Sequence, residues 1–150
     1  MPSFSRRSLL ALSQAHPMLQ QLMRAAIEKF DFVVTDSARG RVEQERAFKN
    51  GYSKARFGQS AHNYAPSIAL DIYPYPIDFS PENDKKFREQ LHVLQLEVIK
   101  PAAKSLGIPI RQGIDWNMNG NLTDDKWDDL PHVELHPWRE FAKKSHLIAD

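Results

Sequence analysis

Cysteine is absent from this chain of 150 residues. No disulfide framework, thiolate zinc site, iron–sulfur cluster or cysteine nucleophile is therefore possible. Any tightly held metal must use His, Asp or Glu, and the chain has six histidines. Net charge is nearly absent too: 20 Lys and Arg against 19 Asp and Glu leave +1, which argues against a dedicated nucleic-acid binder. No apolar run approaches the roughly 18 residues of a membrane helix, so no stable membrane insertion is expected. Arg6-Arg7 followed by Ser8 to Leu12 has the outline of a signal peptide. That run stops at Ser13-Gln14, and His16-Pro17 stands where cleavage would fall, so the chain is expected to be made and folded in a cytoplasm.

What is present is the balance of a folded globular protein, 41% hydrophobic and 26% charged. The length suits one domain over residues 1–150 with one core. Leu19, Leu22, Met23, Ala26 and Ile27 recur at helical spacing from Pro17 towards Lys29. Phe30 to Thr35 reads as a short strand delivering Asp36 to Gly40 into a loop, and Arg41 to Lys49 as a charged helix stopped by Asn50-Gly51. Tyr52 to Pro66 is a polar stretch holding His62. Ser67 to Tyr73 alternates, with Ile68, Leu70 and Ile72 on one face and Asp71 on the other. Ser80-Pro81-Glu82 opens a long helix, with a stripe of Phe87, Leu91, Leu94, Val98 and Ala102, an expected kink or break at Pro101 and a cap at Gly107. Ile108 to Trp116 and a last segment around Val133 and Leu135 read as strands flanking a polar loop. The class is α+β: N-terminal helices and one long helix packed on a short, mainly antiparallel sheet.

Two places combine strand periodicity with side chains suited to a divalent metal: Ser60-Ala61-His62 through Asp71, and Asp128 through Glu134. Two His, one Asp and a position left to water would make a tetrahedral hydrolytic zinc site. On spacing alone a plainer reading stays open, with His62 on a surface loop and Asp71 making local hydrogen bonds. His132 and His136 also stand at the spacing of a helical zinc pair, but Pro131 and Pro137 bracket them and Val133/Leu135 alternate, so that reading loses.

Ser60-x-His62, Ala69-x-Asp71, Gly113-Ile-Asp-Trp-Asn117 with Gly120, and Asp129-x-x-His132-Val-Glu134 follow one another in an order that resembles phage-type L-alanyl-D-glutamate peptidases. These are endolysins of the zinc D-alanyl-D-alanine carboxypeptidase superfamily. The Leu12...His16-Pro17-x-Leu19 helix and the Ser37-Ala38-Arg39 loop are similar to that family too. The resemblance implies His62, Asp71 and His132 as zinc ligands and Asp129 as the general base, with Asp128 and Glu134 as rivals. It implies Arg39 as the arginine that engages a substrate carboxylate or the developing oxyanion, and Ser60 and Glu134 as residues orienting the histidines. It further implies cleavage of peptidoglycan stem peptides, with the catalytic domain itself recognising the substrate. A monomer acting on the cell wall, after a holin-type partner opens the host bacterial membrane, is the expected biology. One departure stands out: Asp71 stands nine positions after His62, two more than in the family pattern, with no glycine between.

Rival readings are a D,D-carboxypeptidase of the same superfamily, a metal-independent lysozyme-like glycosidase and a non-catalytic zinc module. Trp116, Trp127 and Trp138 read as packing residues in preference to sugar platforms. His16, His92 and His146 read as capping or surface residues, and the Asp124, Asp125, Asp128, Asp129 cluster as a solvated loop.

Overall fold

Ser5 opens the first helix by accepting the Ser8 N–H, and His16 opens the second by accepting the Met18 N–H on Nδ1. The capping role expected of His16 is therefore met. Helix α1 spans Arg6–Ser13 and α2 spans Pro17–Ile27, the latter burying Leu19, Leu22, Met23, Ala26 and Ile27. The computed structural model describes residues 2–122 and 129–148, so Asp124, Asp125, Trp127 and Asp128 lie outside the described residues.

Strand β1 (Phe32–Asp36) leads to helix α3 (Arg41–Lys49). A short 3-10 turn, Ala61–Asn63, and the two-residue strand β2 (Tyr64–Ala65) precede β3 (Ala69–Pro74). Helix α4 (Asp84–Val93) runs through a π-helical turn, Leu94–Ile99, into α5 (Lys100–Leu106), which ends on Gly107 at φ +70°. Strand β4 (Ile110–Gln112), β5 (His132–Leu135), α6 (Trp138–Ala142) and β6 (His146–Leu147) complete the order.

Four strands form one antiparallel sheet in the order β1-β3-β5-β4, and β2 pairs with β6 in a second. Ile68, Leu70 and Ile72 are wholly buried among Leu12, Leu19, Leu22 and Leu94, as their alternation requires. Asp71 thereby points to the other face. The register then sets the site: Asp71 pairs with His132 across β3–β5, and a bulge in β1 brings Asp36 opposite Asp71.

Three sequence expectations change. The irregularity assigned to Pro101 sits in the turn before it. Proline has no N–H to give, and the preceding turn widens so that the Lys100 N–H reaches the Gln95 carbonyl. The strand from Ile108 to Trp116 shortens to three residues, because Gly113–Asp115 coils into a 3-10 turn. The long gap between His62 and Asp71 is occupied by β2, whose pairing with β6 ties it to the C-terminal segment.

Candidate metal centre

His62 enters the site from the 3-10 turn. Ser60 accepts the His62 backbone N–H and Asn63 accepts the Ser60 N–H, a reciprocal cap. Ser60 therefore sets the turn, and the ring is aimed by a different partner: the Ser37 carbonyl lies 2.7 Å from His62 Nδ1. The orienting role expected of Ser60 passes to Ser37, itself anchored by its hydroxyl donating to the Ala11 carbonyl at 2.6 Å. With Nδ1 engaged, Nε2 faces inward, 3.5 Å from Asp71 Oδ1.

His132 lies on the opposite side of the same carboxylate, Nδ1 to Asp71 Oδ1 3.5 Å. Its Nε2 is 2.7 Å from Glu134 Oε1, and Arg111 holds Glu134 Oε2 at 2.8 and 3.2 Å. Glu134 thus has the orienting role expected of it. Arg111 and Glu134 are cross-strand partners in β4–β5, and the Arg111 guanidinium stacks over Trp116, whose ring lies 5.0 Å from that of His132.

The ligating atoms of His62, Asp71 and His132 all lie within 4.8 Å of one another. Asp71 Oδ1 and His132 Nδ1 are buried without a hydrogen-bond partner. Two ligands of a tetrahedral zinc at its usual bond lengths stand about 3.3 Å apart, close to the two 3.5 Å separations. Orphaned buried atoms, the N,N,O donor set and two of the three separations together fit a divalent cation such as zinc.

Asp129 flanks the three, with Oδ2 3.7 Å from His132 Nδ1. Its backbone N–H donates to the Gly113 carbonyl, and its carbonyl accepts the His132 N–H. A Cβ at Gly113 would overlap the Asp129 carbonyl oxygen and stand 2.8 Å from its carbon, so only glycine lets the chains approach this closely. A buried amide pair holds the next residue: Gln95 donates to the Leu130 carbonyl at 2.8 Å, while Gln112 donates to the Gln95 carbonyl at 2.7 Å.

Arg39 binds Asp36 at 2.7 Å and reaches Asp71 Oδ2 at 3.6 Å. Gln44 accepts from both Arg39 and Asn63, and the Arg39 N–H donates to the His62 carbonyl. These hydrogen bonds tie the arginine loop to the histidine turn.

The charges are strongly coupled. Burial disfavours an ionised Asp71, but His62 and His132 beside it hold its carboxyl far below the usual range. Burial likewise opposes charge on His132, yet Asp71 and Glu134 outweigh it and push the imidazole up to about 10. Burial and the Asp71 charge raise Asp129. Burial and the charges of Asp71, Asp129 and Asp36 push the Tyr73 phenol up to about 12. The surroundings thus favour positive charge at the point where the three ligands converge.

Sequence reasoning missed Ser37 as the ring partner, Gln44, Asn63, Gln95 and Arg111. His136, Trp138 and the other histidines lie outside the ligand set: His146 is exposed on β6, and the Trp138 ring stands 5.8 Å from Tyr64 at the groove rim.

A groove of about 760 Å³ opens over His62, Asp71, Asp129 and His132. Fold and site define a small α+β domain with a two-histidine, one-carboxylate cation cradle open to a groove, the layout of a metal-assisted hydrolase. The family model for phage L-alanyl-D-glutamate peptidases matches residues 2–136, and the chain belongs to that family. Relatives include the L-alanyl-D-glutamate peptidase of Escherichia phage T5, 28% identical over 88% of this chain and 96% of that one. The peptidoglycan L-alanyl-D-glutamate endopeptidase CwlK of Bacillus subtilis (strain 168) is 32% identical over 83% of this chain and 75% of its own. The fold matches the crystal structure of Serratia marcescens L-Ala D-Glu endopeptidase ChiX with TM-score 0.68 and 20% identity, covering 93% and 94% of the two chains.

Proposed function

We propose that this chain is a zinc-dependent peptidoglycan endopeptidase that hydrolyses the L-alanyl-D-glutamate bond of stem peptides. The observation carrying the reading is the convergence of His62 Nε2, Asp71 Oδ1 and His132 Nδ1 beside Asp129, in a chain of this family. Zinc, when held by these three residues, supplies a Lewis acid for the scissile carbonyl and makes water acidic near neutral pH. Asp129 takes the proton of the attacking water and passes it to the leaving amine. Its burial and the neighbouring Asp71 charge raise its proton affinity, which suits that exchange. Arg39, held by Asp36 and Gln44, presents a fixed guanidinium to a substrate carboxylate or to the developing oxyanion. Ser37 and Glu134 keep the imidazoles turned so that the ligating nitrogens face Asp71.

We further propose a monomer made in the host bacterial cytoplasm that reaches the wall through a membrane opened by a holin-type partner. Among the described residues no helix is long and apolar enough to cross a membrane.

The test is mass spectrometry of sacculi digested by the zinc-loaded protein. Free stems beginning at D-glutamate, lost in chelator, are expected. Loss of only the terminal D-alanine would make the protein a D,D-carboxypeptidase, and chelator-resistant release of reducing sugar ends a glycosidase.

A further inference from the structure

Asp71 and Tyr73 share one face of β3, two positions apart and so about 7 Å along the strand. Tyr73 begins an aromatic wall. Its ring centroid lies 5.2 Å from Phe79, edge to face, and 6.1 Å from Phe87, nearly parallel at 13°. Phe79 and Phe87 meet at 5.5 Å. All three line the groove that holds the metal ligands. Phe87 is buried, whereas Phe79 is 67% exposed although it already has two ring neighbours. The nearby charged side chains of α4 are satisfied by each other, Arg88 lying 3.3 Å from Asp84.

Resting on the peptidase reading above, the geometry points to a saccharide subsite: the Tyr73–Phe79–Phe87 wall receives the N-acetylmuramyl ring that carries the stem peptide. The acyl side of the scissile bond is a single L-alanine, joined through a lactyl ether to that sugar. Tyr73 stands about 7 Å along β3 from the ligand Asp71, so a substrate whose acyl side runs over this end of the groove brings a pyranose to the wall. A pyranose offers a face of C–H groups and a rim of hydroxyls. Aromatic rings take the face, and the Asp84–Arg88 pair stands beside them for the rim. The amine side of the bond carries carboxylates, which call for cations. The groove's other arginine and lysine lining, Arg39, Lys54 and Arg111, comes from segments apart from this wall.

The experiment compares two substrates of the zinc-loaded protein: a muramoyl stem peptide and the same peptide with a free L-alanine N-terminus. In Phe79→Leu the ratio of kcat/KM for the two is expected to fall about three- to tenfold against the sugar-bearing substrate, chiefly through KM. Phe79→Tyr, which keeps a ring, is expected to hold the ratio near that of the unmodified protein. An unchanged ratio in Phe79→Leu, or an equal loss on both substrates, overturns the subsite and assigns the wall to packing or to the peptide. Unmodified protein that cleaves neither substrate overturns the peptidase reading itself, a separate failure.

Discussion

Arg111 and Glu134 face each other across β4 and β5, and the carboxylate they share with His132 closes a ring: Arg111 to Glu134 at 2.8 Å, Glu134 to His132 at 2.7 Å, His132 beside Trp116, and Trp116 under Arg111. His132 has one nitrogen committed to Glu134, and the other can only face Asp71. Arg111 acts through Glu134 and is a positioning residue.

Arg111→Lys keeps the charge but loses the planar fork and the stacked face. Zinc affinity, measured by competition with a chromogenic chelator, is expected to fall about tenfold or more, the usual cost of disturbing a partner behind a metal-bound histidine. Affinity equal to the unmodified protein's would show that Glu134 holds His132 unaided.

Gly113→Ala places a methyl group where the Asp129 carbonyl now lies. Asp129, the proposed base, must shift while His62 and Asp71 stay in place. Turnover of muropeptide is expected to drop about 100-fold, the penalty for a misplacement near 1 Å, with zinc still bound at one per chain. Near-normal turnover would remove Asp129 from the role of base.

Metal uptake should depend on pH with a definite sign. His132 is pushed up to about 10, so the imidazole carries a proton at neutral pH that zinc must displace, whereas Asp71, held low, is already ionised. Apparent zinc affinity is therefore expected to rise with pH through the neutral range, about tenfold per unit for one proton released. Calorimetry in buffers of different ionisation enthalpy counts that proton. A flat profile would mean that His132 is neutral before zinc binds.

Much of this site is legible in the amino-acid sequence, for physical reasons that differ from residue to residue. The facing of Asp71 follows from alternation alone, because Ile68, Leu70 and Ile72 have to share the buried face. His62 and Asp129 lie on loops, where no period constrains a side chain, and only the order of short motifs singles them out. Ser37, Gln44 and Arg111 act through cross-strand register and side-chain hydrogen bonds between distant segments. The bulge that brings Asp36 opposite Asp71 leaves no mark in hydropathy. Strands β2 and β6 are two residues each, too short to show a period, and their pairing joins segments about 80 residues apart. The π turn is half-visible: Pro101 announces an irregularity, but the turn's use of Gln95 to hold the Leu130 carbonyl depends on packing against β4.

The central claim is that one zinc ion is held by His62, Asp71 and His132, with its remaining position open to the groove. Anomalous diffraction at the zinc edge, from crystals of the zinc-loaded protein, tests it most directly. The account predicts a single strong peak within about 2.0–2.2 Å of His62 Nε2, Asp71 Oδ1 and His132 Nδ1. A peak elsewhere, or one at this position bound by a fourth protein side chain, would contradict it.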